Sequence, residues 1–197
     1  FRCGGRRFAG TPAFMNSPAL AERLETDVRF PACRIVAIQR EEVVKFALSL
    51  EDGALIESVI IPGPRRTTLC LSSQVGCAWG CRFCATGSLG FVRDLSPSEI
   101  VQQVLTARFE LGHPVDNIVF MGMGEPLANL DSVMQAMRVI GDQHGLAIAP
   151  SHITISTAGH VDGMLRLTRI APPNLRLAVS LNAANDELRT TLMPINR

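Results

Sequence analysis

The sequence is poor in several features that mark common protein classes. It has one tryptophan, no tyrosine and a single lysine, Lys45, and its 19 basic residues nearly balance 18 acidic ones. With a formal net charge of +1 at pH 7, no overall field attracts the chain to nucleic acid or anionic lipid. Few aromatic rings also leave few platforms for stacking unpaired RNA bases. Any RNA contact must come from a local patch, such as the pair Arg65 and Arg66, although such clusters are more often an ordinary solvated surface.

Long hydrophobic runs are also absent. No run approaches the ~18 apolar residues that a membrane-spanning helix needs, and residues 1–10 lack an apolar core of signal-peptide length. These absences predict a cytoplasmic protein without a membrane segment. At 197 residues, 47% of them hydrophobic, the chain is long enough to bury one large core.

Six cysteines are present, and three of them form a CxxxCxxC group at Cys77, Cys81 and Cys84. In a cytosolic chain such close packing indicates a metal rather than disulfides. Zinc sites usually take four ligands, commonly from two cysteine pairs, and the sequence has no second pair. Three thiolates on one loop are typical of a 4Fe–4S cluster that keeps one iron free of protein ligands. A zinc ion with a distant fourth ligand and a chance clustering are the alternatives.

The hydrophobic pattern divides the chain into three parts. Residues 1–30 are hard to assign beyond one short helix near 17–24. Residues 31–62 read as strands of a small antiparallel sheet, with a hairpin signal at Asp52 and Gly53. In residues 63–197 strands alternate with helices, which predicts an α/β fold with a parallel sheet, in a barrel or an open sheet. The four strands predicted there are 67–73, 117–121, 152–156 and 176–183.

Unusual segments follow each of these four strands. The cysteine loop follows the first strand, and GMGEP at 122–126 follows the second. STAG at 156–159 and SLNA at 180–183 end the third and the fourth. Because the carboxyl ends of parallel strands carry the active site in such folds, these segments predict a single pocket. Glu125 is a candidate for holding a cationic amine there, and a solvated glutamate in a tight turn is the alternative.

Alternation within the first strand suggests where Cys70 points. Leu69 and Leu71 share one face of the strand, and Cys70 lies on the other. If the leucines pack against the helices, Cys70 faces the pocket; the alternative is a buried small hydrophobic residue. The same count places Ser180 and Asn182 together on one face of the fourth strand.

Taken together, these motifs resemble a known enzyme family. The CxxxCxxC group, with Phe83 before its last cysteine, is similar to that of radical S-adenosylmethionine (SAM) enzymes. The segments TLCLSSQVGCAWGCRFCATG, GMGEPLANL, ITISTAG, SLNA and LMPINR occur in this order. They resemble the radical SAM methyltransferases that modify adenine C2 in 23S rRNA and tRNA, and their C8-methylating relatives. The resemblance runs from about Leu55 to Arg197, and MNSPALAERL near the amino end resembles the family's helical domain.

This resemblance implies a fold of a particular kind. It is a partial radical SAM (β/α) barrel with about four of six parallel strands, preceded by a small antiparallel β subdomain. The implied domains are a remnant of a helical RNA-binding domain at 1–30, the β subdomain at 31–62 and the partial barrel at 63–197. The family's methyl-carrying cysteine lies near its carboxyl terminus, and no cysteine follows Cys84 here. The resemblance therefore predicts a chain truncated at the carboxyl end and shortened at the amino end, which does not methylate RNA by itself.

The resemblance also implies roles for individual residues. Cys77, Cys81 and Cys84 would hold a 4Fe–4S cluster, and an electron donor such as flavodoxin would supply electrons to that cluster. Cys70 matches the second thiol of a mechanism that uses a methyl-cysteine and a disulfide. Glu57 matches a proton acceptor, and a surface strand glutamate is the alternative. The residues implied in binding SAM are Gly124, Glu125, Ser156, Ser180, Leu181 and Asn182.

Two other functions fit the same residues. The first is a non-catalytic iron–sulfur or SAM-binding remnant, which needs the three loop cysteines but not Cys70. The second is a zinc-stabilised RNA-binding module, which needs metal without labile sulfide. The motifs do not distinguish rRNA from tRNA, or C2 from C8.

Overall fold

The computed structural model of the chain describes residues 16–27 and 33–196. Its strands are β1 (Arg34–Arg40), β2 (Val44–Ser49), β3 (Leu55–Ile61), β4 (Thr68–Cys70), β5 (Gln74–Gly76), β6 (Phe91–Asp94), β7 (Asn117–Phe120), β8 (Ile153–Thr157) and β9 (Arg176–Val179). Its α-helices are α1 (Pro18–Asp27), α2 (Ala85–Ser88), α3 (Pro97–Leu105), α4 (Leu130–Gly141), α5 (Val161–Ile170) and α6 (Asp186–Leu192). Within these ranges the strands form a seven-stranded sheet in the order β1-β2-β3-β4-β7-β8-β9 and a separate hairpin of β5 and β6.

The first half of the large sheet is antiparallel, as the sequence predicted. The turn between β2 and β3 contains Gly53 with φ of +83°, and the Asp52 carboxylate accepts the Ala54 N–H at 3.0 Å. The antiparallel pairing then continues from β3 to β4, with Val59 opposite Cys70. The predicted β subdomain and the strands that follow thus share one hydrogen-bonded sheet. The division at 1–30, 31–62 and 63–197 stays a prediction, and residues 1–15 and 28–32 lie outside the described part.

The second half of the large sheet is parallel. Strands β4, β7, β8 and β9 pair in that order. One face of these strands carries fully buried residues such as Leu69, Ile118 and Ile153. Burial of this row stabilises the layer, because each such side chain contributes about 1.5–3 kcal/mol. The predicted α/β class with four parallel strands is confirmed.

Helix α3 begins at a capping box. The Ser96 hydroxyl accepts the Glu99 N–H, the Glu99 carboxylate accepts the Ser96 N–H, and Pro97 occupies the first turn. A π-helical turn at Thr106–Glu110 directly follows the last residue of α3. The sequence pattern predicted no such turn. Near the carboxyl end, Asn185 caps α6, with its side chain accepting the Leu188 N–H at 2.8 Å.

Candidate active site

Hydrogen bonds connect the loops at the carboxyl ends of the four parallel strands. The Met123 carbonyl accepts the N–H groups of Ser73 and Gln74, which joins the loop after β7 to the loop after β4. The Glu125 carboxylate reaches the loop after β8, and the Ser180 N–H donates to the Thr157 carbonyl at 2.8 Å. The predicted segments therefore form one continuous rim.

A buried amide organises the rim at β4. The Gln103 side chain donates to the Ser72 carbonyl at 3.0 Å and accepts from the Ser72 N–H at 2.9 Å and the Ser58 hydroxyl at 2.7 Å. In turn, the Ser72 hydroxyl donates to the Glu57 carbonyl at 2.6 Å and accepts the Met123 N–H at 2.9 Å. One side chain of α3 thus sets the ends of β3, β4 and β7 relative to one another. Gln103 was not predicted from the sequence, where its only signal is a glutamine beside an apolar helix stripe.

Glu125 is buried, with 3% of its surface exposed. Its Oε1 accepts the Leu127 N–H at 3.1 Å, and its Oε2 accepts the Ala158 N–H at 2.9 Å. The interpretation of a solvated glutamate in a tight turn is therefore wrong. Gly124 has φ of +99°, and a Cβ there would lie 2.5 Å from the Gln74 Cβ, so the loop needs glycine at this place.

Cys70 lies on the opposite face of β4 from Leu69, which is fully buried. Its thiol is half-buried, and burial raises its pKa, opposed by a hydrogen bond with the Met121 backbone. Since Val59 is paired with Cys70, Glu57 shares the face of Cys70 on the neighbouring strand. Cys70 and Glu57 are thus neighbours on one face.

The hairpin of β5 and β6 frames the loop that carries the three clustered cysteines. At its base Gly76 has φ of +75°, and a Cβ there would lie 1.8 Å from the Gly90 carbonyl oxygen. The Cys77 N–H donates to the same oxygen at 2.9 Å. These contacts close residues 77–89 into a loop with a narrow base. Sequence reasoning missed this hairpin, because three-residue strands carry little periodicity.

Two further contacts attach the cysteine loop to the helices around it. Trp79 stacks on His160, with ring centroids 5.9 Å apart, and the His160 Nδ1 accepts the Gly163 N–H at 2.8 Å. The Arg82 N–H donates to the Leu192 carbonyl at 2.9 Å. The loop is therefore tied to the start of α5 and to the end of α6.

The three loop thiols Cys77, Cys81 and Cys84 are all half-buried. Burial raises the pKa of Cys77 and of Cys81, and neighbouring thiol charges and the charge of Glu125 act in the same direction. The donor set, three thiols on one loop, fits an iron–sulfur cluster better than a hard cation. Within residues 16–27 and 33–196, no three cysteine, histidine or carboxylate side chains converge as a metal site. The assignment of these cysteines as ligands stays a prediction.

The remaining predicted residues lie at the ends of β8 and β9. The hydroxyls of Ser156 and Ser180 are 3.5 Å apart, so these two side chains share a face of the sheet. The Asn182 side chain donates to the Ser180 carbonyl at 3.2 Å, and its backbone has φ of +60°. Leu181, in contrast, is 66% exposed. The structure brings the two serines together and leaves Leu181 at the surface.

Across the described ranges, no helix has both the length and the apolar character needed to cross a membrane.

Comparison with known proteins gives consistent matches. The sequence profile of the Radical SAM superfamily matches residues 71–197. The dual-specificity RNA methyltransferase RlmN of Syntrophobacter fumaroxidans is 52% identical over 179 residues, covering 89% of this chain and 52% of that protein. The protein of the same name from Geobacter sulfurreducens is 47% identical over 195 residues, covering 95% and 53%.

A solved structure is also similar. The crystal structure of a radical SAM methyltransferase from Sphaerobacter thermophilus has a TM-score of 0.84 and 40% identity, covering 91% of this chain and 54% of that one. The chain thus spans about half the length of the relatives it matches.

Proposed function

The chain belongs to the RlmN family of the radical SAM superfamily, and we propose that it forms the catalytic half of a radical SAM RNA methyltransferase. Its substrate would be adenine C2 in 23S rRNA and tRNA. The observation that carries this proposal is the placement of the cysteine loop and Cys70 at one hydrogen-bonded rim. A thiol outside the CxxxCxxC group but at the same rim is what a two-thiol transfer mechanism needs.

In this proposal Cys77, Cys81 and Cys84 hold a 4Fe–4S cluster. When bound, such a cluster supplies one-electron cleavage of SAM, with electrons from a donor such as flavodoxin. The chain's own residues position the cofactor. Ser156 and Ser180 present adjacent hydroxyls, and Gly124 lets the Gln74 side chain pack closely against the loop and accept the Glu125 N–H. The SAM contacts proposed are Gly124, Glu125, Ser156, Ser180, Leu181 and Asn182.

To fill its proposed role, the buried carboxylate of Glu125 must bind the SAM amine while keeping the hydrogen bonds that it already makes. Both of its oxygens already accept a backbone N–H. A carboxylate oxygen has a second lone pair, so Glu125 can hold the SAM amine and the two loops together. Its burial strengthens such an interaction, because little water competes.

Cys70 is the proposed second thiol. It would take part in the disulfide that releases the methylated base, with a methyl-carrying cysteine that does not occur after Cys84 in this sequence. The Cys70 thiolate is also the proposed base that removes the ring proton, and Glu57, on the same face of the sheet, is a proposed proton acceptor. We place this chemistry in the cytoplasm.

A second candidate function is a non-catalytic iron–sulfur or SAM-binding unit. Its support is the polar end of β8 and β9, where the Ser156 and Ser180 hydroxyls lie 3.5 Å apart and could contact a cofactor without Cys70. This candidate requires the three loop cysteines and gives Cys70 no role.

The test is anaerobic reconstitution of the chain, with an iron and sulfide count and EPR spectra with and without SAM. We expect about four irons and four sulfides per chain and a reduced signal that changes when SAM is added. Cys81→Ala should abolish the cluster, whereas Cys70→Ala should keep it. Metal without labile sulfide, or a cluster that ignores SAM, would contradict the proposal.

A methyl-transfer assay separates the two candidates when a methyl-carrying cysteine is supplied to the reconstituted chain on a separate polypeptide, because the chain is not expected to methylate RNA by itself. RNA methylation that Cys70→Ala abolishes supports the enzyme. Cluster and SAM binding without methylation, even when the missing cysteine is supplied on a separate polypeptide, supports the binding unit.

A further inference from the structure

Three ionisable side chains share one face of the sheet across three adjacent strands. Lys45 on β2 pairs with Val59 on β3, and Val59 pairs with Cys70 on β4. Directly paired residues point to the same side of a sheet, so Lys45, Val59 and Cys70 form one row. Glu57 is two residues from Val59 along β3 and therefore lies on the same side.

An ion pair joins two members of this group. The Lys45 Nζ lies 2.8 Å from the Glu57 Oε1, and the two side chains are 43% and 48% exposed. An ion pair this exposed contributes little to folding stability. Neighbouring strands are separated by about 4.8 Å, so Lys45 starts only about 10 Å from Cys70. Its main effect is therefore on the local electric field and on the orientation of Glu57.

The choice of lysine fits such a role. All the other basic residues of the chain are arginine. An ammonium is a compact point charge that can engage one carboxylate oxygen, whereas the guanidinium fork tends to engage both. The observed contact is with Oε1 of Glu57.

We propose that Lys45 is a positioning residue that holds the Glu57 carboxylate over the pocket face of the sheet, beside Cys70. Lys45 engages Oε1, and Oε2 is the oxygen assigned to accept a proton. This inference rests on the proposed function in one respect, the role of Glu57 as proton acceptor. The juxtaposition of Lys45, Glu57 and Cys70 can be tested without any catalysis.

The experiment measures alkylation of Cys70 in the full chain, reduced and free of cluster and SAM. Rates are determined by mass spectrometry with anionic iodoacetate and with neutral iodoacetamide. Their ratio cancels the accessibility and nucleophilicity of the thiol and reports the local charge. We expect Lys45→Met to lower the ratio about threefold, because Glu57 is left unpaired, and Glu57→Gln to raise it by a similar factor. Lys45→Arg should retain the ratio of the unmodified chain.

Two controls accompany these variants. Arg138→Met removes an exposed charge on α4 and should leave the Cys70 ratio unchanged. The ratio at Cys84 in the same Lys45→Met sample should also be unchanged. Circular dichroism establishes that each variant is folded.

The outcomes are unambiguous. An unchanged Cys70 ratio in folded Lys45→Met or Glu57→Gln overturns the proposal, as does a Lys45→Arg chain that behaves like Lys45→Met. Since the assay uses neither cluster nor SAM, a changed ratio together with failed reconstitution would reject the proposed function and keep the juxtaposition. Successful reconstitution with an unchanged ratio would support the proposed function and reject the role of Lys45.

Discussion

The two ends of the pocket rim differ in how they are built. At β4 and β7 the rim rests on Ser72 and Gln103, which are fully buried, and every buried side-chain polar atom of the described residues has a partner. At β9 the side chains of Leu177 and Val179, on the sheet face opposite Cys70, are about half exposed, and the rim itself depends on Arg189, which donates to the Ala158 and Leu181 carbonyls. The end of the pocket that contains Cys70 is therefore held rigidly by the sheet and α3. The end proposed to contact SAM through Ser180 relies on fewer, more exposed contacts.

Among the polar contacts, the largest expected effect comes from removing the amide that organises the buried end. Gln103→Leu leaves the Ser72 N–H and carbonyl without their partners, and each buried unsatisfied group costs about 1–3 kcal/mol. We expect a loss of about 3 kcal/mol in the free energy of unfolding, measured by urea denaturation. Gln135→Leu, on the exposed side of α4, is the matched control and should change it by less than about 0.5 kcal/mol. Equal effects in the two variants would show that the network is not what holds this end.

A smaller effect is expected where the cysteine hairpin meets α3. Arg93 on β6 donates to both oxygens of Glu99 and to the Asp52 carboxylate. Burial opposes ionisation of Glu99, but hydrogen bonds from Arg93 and Ser96 outweigh it and lower its pKa; the Arg93 hydrogen bond also lowers the pKa of Asp52. Arg93→Met should cost about 2 kcal/mol of unfolding free energy at pH 7.

The pH dependence of this cost follows from the direction of the two shifts. Carboxyls with lowered pKa values stabilise the fold above their unfolded pKa, about 4, and lose that contribution as the pH falls through the folded value. The unmodified chain and Arg93→Met should therefore converge in stability below about pH 4. Arg166→Met, which breaks an exposed pair with Asp131, should cost less than about 0.5 kcal/mol. A gap that stays constant at acid pH would mean that Arg93 acts through packing alone.

The smallest effect is expected on β9, at Leu177 on the sheet face opposite Cys70. Leu177→Ala should change the free energy of unfolding by about 0.5 kcal/mol or less, because the side chain is already 45% exposed. Its direct partner on β8, Ile155, is fully buried, and Ile155→Ala should cost about 2–5 kcal/mol. A large cost at Leu177 would show that this side chain is buried in solution. The contrast between a buried β4 end and an exposed β9 end of the sheet would then be wrong.

Much of the fold could be predicted from periodicity and turn chemistry. Strands β2 and β8 alternate in burial as their residues alternate in polarity, and the capping box at Ser96 and the cap at Asn185 are local signals for the starts of α3 and α6. The face on which Cys70 lies followed from its place between Leu69 and Leu71. These features depend on contacts close in sequence, which a local pattern can report.

The rest depends on contacts between distant segments. Gln103 meets Ser58 across 45 residues, and Gln74 meets Glu125 across 51, so no local pattern identifies them. The π-helical turn at Thr106–Glu110 and the short hairpin of β5 and β6 also escaped prediction. Each has too few residues to show a period. The burial of Glu125 was missed for the same reason, because its partner at Ala158 lies on another loop.

The narrow base of the cysteine loop has a consequence for how cofactor ligands find one another. Gly76 and Gly90 hold the two ends of residues 77–89 in contact, so the thiols on that segment explore a small volume around a closed ring. Closing a loop in advance removes part of the entropy that assembling its ligands would otherwise cost. The first thiol to engage a cluster thereby presents the other two at high effective concentration. Widening the base at Gly76 and Gly90 would therefore weaken the binding of a cluster by the three thiols, even if the thiols themselves were unchanged.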